Sequence, residues 1–196
     1  MSAKPGKRAY EKRRRAESEQ ETRRRITEAT VELHRTVGPA RTTISAVAQR
    51  AGVQRATVYR HFPEDADLFA ACSAHWIGMH PYPALEPWAA IADPRQRVRT
   101  ALGELYAYYR TVAPMLANVR RDAQLLPALA QAAAGAQRYF AAVEEILAAG
   151  WDGDATRRGA ALAVALDFAT WQTLSARLSD ADAAAVMTRM VACAGR

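Results

Sequence analysis

The run Thr42-Thr43-Ile44-Ser45-Ala46-Val47-Ala48-Gln49-Arg50-Ala51-Gly52-Val53 constrains the fold more than any other part of the chain. Thr43 is a good helix N-cap. Ile44, Val47, Ala48 and Ala51 form one apolar stripe at helical spacing. Ala48 is small where a second helix must cross closely. Gly52 tolerates positive φ, so the helix can end in a sharp turn that Val53 plugs. The chain continues Gln54-Arg55-Ala56-Thr57-Val58-Tyr59-Arg60-His61-Phe62. Val58 and Phe62, four apart, face a core and leave Gln54, Arg55, Thr57, Tyr59, Arg60 and His61 pointing outward. Short helices are expected over 44–51 and 55–61. A recognition helix needs such an apolar back edge and such a polar front, with donors for base edges and phosphates. An ordinary helical hairpin with one solvated face has the same periodicity, so spacing leaves both open.

Around this run the chain reads as helical, with almost no alternation suited to strands. Ile26, Ala29, Leu33 and Val37 give helix 1 an apolar face, and Gly38-Pro39 ends it. A helix is expected from near Glu64 to Gly78. His80-Pro81-Tyr82-Pro83, continuing to Pro87, reads as a break. Val98, Leu102, Leu105, Tyr109 and Val112 mark a long helix that Pro114 is expected to stop, with a short helix following through Arg121. Leu129, Ala133, Ala136, Phe140, Val143 and Leu147 mark another, and Gly150 to Gly153 a turn. Helices over 154–178 and 181–194 complete the chain. Ser179 with Asp182 resembles a capping box.

Charge and chemistry narrow the function. The net charge of +7 is concentrated at one end, since residues 1–25 hold ten basic and four acidic residues. Such an arm attracts phosphate, on nucleic acid or on an anionic membrane. A solvated tail is the plain alternative. Cys72 and Cys193 lie far apart, so no disulfide framework is expected, and a reducing cytoplasm suits the chain. The most apolar stretch, Gly159 to Ala176, contains Asp167, Thr170, Gln172, Thr173 and Ser175 and reads as a buried helix, not a membrane span. No phosphate-cradling Gly-rich loop, G-x-S-x-G, H-E-x-x-H or C-x-x-C occurs. His75 and His80 sit on different helix faces, so no metal or other cofactor is expected, and no enzyme.

The residues of Thr42–Phe62 go further than their spacing. Ala51-Gly52-Val53 followed by Thr57-Val58-Tyr59-Arg60-His61-Phe62 resembles the DNA-binding domain of the TetR family of bacterial regulators. Gly38 followed by Thr42-Thr43-Ile44, and Leu68-Phe69 downstream, fit the same pattern over about residues 20–70. The resemblance implies an all-α chain. A basic flexible arm (1–19) would precede a three-helix DNA-binding domain (20–68). A helical ligand-binding and dimerisation domain of about six helices (69–196) would follow. It further implies phosphate contacts from Thr43, with Thr42 beside it, Tyr59 and His61. Base contacts would come from Gln54, Arg55 and Thr57, with Ala56 against a thymine methyl. Arg41 and Arg60 would serve either. Gln54 stands where a capping Ser is common, and Ala56 where Gly is common. Asp65 stands where a phosphate-touching Lys is frequent, so no DNA role is given to it.

For the second domain the resemblance implies a homodimer through helices 154–178 and 181–194. The first is apolar nearly all round, and Met187, Met190, Val191 and Ala194 give the second an apolar face. Trp76, Met79, Trp88, Tyr106, Tyr109, Met115, Phe140, Phe168 and Trp171 are candidate walls of an effector pocket, with plain core packing as the competing role of each. Asp167 is expected to pair with an arginine. The function implied is a cytoplasmic regulator, a repressor that binds a near-palindromic DNA operator as a dimer and leaves it when a small apolar or aromatic effector binds. The alternative is an architectural DNA-binding protein, or an activator, without effector. Deleting residues 1–18 should weaken DNA binding and flatten its salt dependence; a salt slope unchanged in binding titrations would contradict a role for the arm.

Overall fold

The computed structural model describes residues 5–127, 129 and 133–196. Among them every regular element is a helix. In chain order these are α1 (Pro5–Thr36), a 3-10 turn (Pro39–Arg41), α2 (Ile44–Ala51), α3 (Arg55–His61), α4 (Asp65–Met79), α5 (Glu86–Ala89), α6 (Pro94–Asp122), α7 (Ala134–Ala148), α8 (Ala155–Leu166), α9 (Phe168–Ser175) and α10 (Asp180–Ala194). The chain divides into two compact units. One contains α1–α4 and the stretch of α6 from Pro114. The other runs from His80 to Ala113 and includes α7–α10. The boundary expected at residue 68 falls inside α4.

In the first unit the apolar stripes meet as their spacing demands. Ile26 and Ala29 of α1 pack with Val47, Ala48 and Ala51 of α2, Val58 and Phe62 at α3, and Leu68 of α4. Val31, Cys72 and Met115 form a second cluster, flanked by Trp76 and Val119. The corner between α1 and α2 is held by the last turn of α6. Asn118 Nδ2 donates to the carbonyls of His34 (3.1 Å) and Arg35 (2.9 Å). Arg121 Nη2 donates to Val37 O (3.1 Å), and Asp122 Oδ2 accepts from Ala40 N (3.0 Å). These groups satisfy backbone left over where α1 ends. The Arg121 guanidinium beside Asp122 holds its carboxyl below the usual range.

In the second unit Val98, Leu102, Leu105, Tyr106 and Tyr109 of α6, Val143 and Leu147 of α7, Leu162 of α8 and Phe168 and Trp171 of α9 are all buried, and the Tyr109 ring meets those of Phe168 and Trp171. Tyr106 Oη donates to Ala165 O (2.8 Å) and Tyr109 Oη to Leu166 O (2.5 Å). Those carbonyls belong to the last turn of α8, where no intrahelical partner remains. Arg97 does the same for α7, donating to Ile146 O (2.9 Å) and Ala149 O (2.8 Å).

Four expectations change. Residues 5–19 are not a flexible arm but the opening turns of α1; Met1–Lys4 lie outside the described residues. Pro114 does not stop a helix, because α6 runs through it to Asp122. An interior proline costs about 3 kcal/mol, and burial of Val112 and Met115 on either side offsets it. The helix expected over 154–178 is two, α8 and α9. Asp167 caps α9, its Oδ2 accepting from Ala169 N (3.1 Å). The Pro-rich break holds the short α5, whose Trp88 is fully buried and donates Nε1–H to Glu104 (3.0 Å). Residues 128 and 130–132, which the expected helix from Leu129 crossed, lie outside the described residues, and α7 begins at Ala134.

His34 is 5% exposed and stacks on Phe69 at 5.3 Å. Burial pushes its imidazole down to about 4, against the pull of Asp122. The folded state therefore favours the neutral ring. That stability is complete above the ordinary value of 6.5 and drains as pH falls to about 4, by about 3 kcal/mol. His34→Gln should flatten this loss in denaturant titrations between about pH 7 and about pH 4. Equal pH slopes in the two proteins would show that His34 does not titrate on unfolding.

Candidate nucleic-acid interface

Thr43 caps α2, its hydroxyl accepting from Ala46 N (3.1 Å). Gly52 ends it in the left-handed region, at φ 64° and ψ 41°. Val53 N then donates to Ala48 O (2.9 Å) and Gly52 N to Gln49 O (3.2 Å), the pattern of a helix closed by a left-handed residue. The remaining carbonyls of this turn are taken by Arg25 of α1. Its Nε donates to Ala51 O (3.1 Å), and Nη2 donates to Ala51 O and to Gly52 O (3.1 Å). A cation at a helix C-terminus also meets the negative end of its dipole.

The turn sets the angle of α3. Val58 is fully buried and Phe62 3% exposed. Gln54 is the α3 N-cap, yet its side chain makes no capping bond and stays exposed. Arg55, Ala56, Tyr59 and Arg60 are exposed, Thr57 and His61 half-buried. Seven of the expected residues thus lie on α3 or at its N-cap, five of them exposed. Thr43 and Arg41 are exposed at the neighbouring start of α2. Thr42 is half-buried, and its hydroxyl donates to Gly38 O (2.9 Å).

His61 differs from a simple phosphate-binding cation. Burial lowers its basicity, as do Arg60 and Arg23, while Glu19 opposes them. At neutral pH the ring is uncharged and can offer one N–H. Its Nε2 is enclosed and meets no hydrogen-bond partner among the described residues. Asp65 is exposed in the first turn of α4 with Asp67, where acids suit the helix dipole.

Sequence reasoning missed the structural use of three arginines counted with the arm. Arg23 Nη1 donates to His61 O (2.5 Å), and its guanidinium lies 4.0 Å from the Phe62 ring centroid. Arg25 clamps the glycine turn. Arg24 pairs with Glu21 (2.7 Å) and Glu28 (2.6 Å). The available signal was position. Arg23 and Arg25 flank the core residue Ile26, within reach of two helix C-termini.

The candidate pocket walls divide between the units. Trp76, Met79 and Met115 belong to the first, and Met79 is exposed. Trp88, Tyr106, Tyr109, Phe140, Phe168 and Trp171 belong to the second. Among the described residues no cluster of His, Cys, Asp or Glu could hold a metal ion, and no helix is long and apolar enough to cross a membrane.

Two short helices joined at a left-handed glycine, the second with a buried back and a polar front, define a helix-turn-helix DNA-binding domain. Residues 26–72 match the family model described as bacterial regulatory proteins, tetR family. No curated protein matches the chain in sequence. Solved structures share its fold at low identity. A TetR transcription regulator from Haloarcula marismortui ATCC 43049 has a TM-score of 0.57 and 19% identity, over 90% of this chain and 97% of that one. A transcriptional regulator from Rhodococcus sp. RHA1 has a TM-score of 0.58 and 18% identity, over 88% and 95%. A Clostridium perfringens protein reaches 0.61 at 16% identity, over 85% and 96%. Residues 26–72 are therefore a helix-turn-helix domain of the kind found in bacterial regulatory proteins of the tetR family, and the rest of the chain shares the fold of the solved regulators.

Arg25→Met keeps the apolar stem and removes the donors to Ala51 and Gly52. It should cost about 1–3 kcal/mol in denaturant unfolding. Arg24→Met, which breaks only exposed pairs, should cost under about 1 kcal/mol. Equal losses would show that the clamp does not hold the turn.

Proposed function

We propose that the chain represses transcription by binding a near-palindromic operator as a homodimer and releases it when a small apolar or aromatic molecule binds its second unit. The observation that carries this reading is the outward face of α3, polar from Gln54 to His61 while Val58 and Phe62 anchor its back. In a dimer, two such helices enter successive major grooves about 34 Å apart. Gln54, Arg55 and Thr57 meet base edges, and Ala56 packs on a thymine methyl. Tyr59 and Thr43 donate to phosphates, and His61 does so as a neutral N–H donor. Arg41 and Arg60 add charge at either. Thr42, already bonded to Gly38 O, positions the corner.

Support for the dimer comes from α8 and α10. Met187 and Val191 are buried within their own chain, so they do not serve a partner. Ala160, Ala163 and Val164 of α8 are exposed, Val164 by 48%, and Met190 of α10 is half-buried. Small apolar residues on facing helices allow close approach of a second copy. Support for an aromatic effector comes from the ring cluster of the second unit. There Tyr82 stacks on Tyr139 at 4.3 Å and meets Tyr108 at 5.3 Å. Such rings accept a flat molecule with few polar groups.

Selection of bound DNA from a genomic pool should recover an inverted repeat. On the recovered site Tyr59→Phe, which loses one phosphate donor, should weaken binding about fivefold without changing sequence preference. Val164→Glu should leave the fold intact and shift light-scattering mass toward a monomer. Recovery of no common motif, or unchanged affinity in Tyr59→Phe, would contradict the assignment.

A further inference from the structure

The positive excess of the N-terminal segment lies at its far end. Residues 4–15 hold seven basic residues and one acid, whereas residues 16–25 hold three of each sign. From Ala9 to Glu21 every residue of α1 is exposed, and Tyr10 is exposed by 60%. Among the described residues none of this stretch belongs to a buried core cluster. Three of its four acids brace the helix: Glu17 pairs with Arg13 (3.2 Å), Glu19 with Arg15 (3.6 Å) and Glu21 with Arg24 (2.7 Å). Lys12 and Arg14 have no ion pair among the described residues.

This arrangement is costly for the protein alone. An unpacked helical stretch is marginal in water. Cations near its start oppose the helix dipole, and the first turn holds no acid. A polyanion lying along the stretch would remove both penalties.

We infer that residues 5–22 of α1 are a second DNA-binding element, a helical strut that lies on the phosphate backbone flanking the groove read by α3. The inference rests on the DNA-binding reading of α3. The strut leaves the domain beside the C-terminal end of α3, because Arg23 at its base holds His61 O and covers Phe62. Lys12 and Arg15 precede Ile26 by fourteen and eleven residues, close to whole numbers of helical turns. They therefore continue the stripe of α1 on which α2 and α3 pack. Lys12 stands about 20 Å beyond Ile26 at 1.5 Å per residue, a span of about six base pairs. The Arg15–Glu19 pair is largely exposed, so its worth is small and a phosphate can replace Glu19.

The backbone is favoured over the minor groove on size. A helix with its side chains is about 10 Å across, and the groove about 6 Å wide. DNA is favoured over a lipid surface because Ala9–Glu21 has no apolar face to bury in a bilayer.

The test uses the full chain and a duplex of arbitrary sequence of about 30 base pairs, three turns long. Fluorescence anisotropy over a range of salt gives the slope of log affinity against log salt. The double variant Lys12→Gln/Arg15→Gln should lower that slope by about two units per protomer. Arg13→Gln, on the opposite side of α1, should change it by less than half as much. Circular dichroism should show helix gained by the wild type on DNA and less by the double variant. An unchanged slope in the double variant overturns the strut. If Tyr59→Phe still weakens operator binding in that case, the α3 reading stands without it. Binding of the wild type to phosphatidylserine vesicles, lost in the double variant, would also overturn it in favour of a lipid surface.

Discussion

The left-handed turn at Gly52 governs the DNA-binding unit. It closes α2 after two turns and sends the chain into α3 at an angle that Val58 and Phe62 then lock against Ile26, Val47 and Ala48. A side chain at Gly52 would be strained at φ 64° and would press on Arg25 Nη2 at 3.2 Å. Arg25 reaches from α1 to bond the carbonyls on both sides of the turn. Three helices thus meet at one backbone feature, and the polar face of α3 inherits its direction from it.

Arginine has two uses in this chain, and the net charge conceals the difference. Arg23, Arg25, Arg97, Arg121 and Arg158 donate to backbone carbonyls at helix ends and loops. Their five-donor forks satisfy groups that helices leave over. Arg55 and Arg60 are exposed on α3, and Arg13, Arg14 and Arg15 with Lys12 stand on the unpacked start of α1. This second group, with the exposed Arg41, is the one proposed to meet phosphate. The +7 net charge thus counts arginines spent on backbone carbonyls together with exposed ones.

Much of this was legible in the sequence, where local chemistry decides structure. Thr43, Gly52 and the Val58–Phe62 pair fixed α2 and α3 to the residue, since cap, turn and stripe agree there. Ser179 caps α10 as its spacing suggested, and its hydroxyl also donates to Asp182 (2.7 Å). Failures came where packing outweighs propensity. Pro114 is carried within α6 by buried neighbours on both sides. Asp167 divides α8 from α9 with no glycine or proline to announce it, while Tyr106 and Tyr109 take the carbonyls so released. The basic N-terminus has the net charge of an arm, yet the i,i+4 spacing of Arg13 to Glu17 and Arg15 to Glu19 suits the helix found there. The inward use of Arg23 and Arg25 is a long-range contact that no local pattern contains.

The most direct test of the claim that α3 reads base edges is a change of sequence preference. DNA bound from a random pool should be selected in parallel by the wild type and by Arg55→Ala, at one salt concentration. Loss of a bidentate guanine contact should relax preference at one symmetric pair of positions, by about 1–3 kcal/mol, and leave the rest of the motif intact. Identical motifs from the two proteins would contradict base reading by Arg55, and uniform weakening at all positions would make it a phosphate contact.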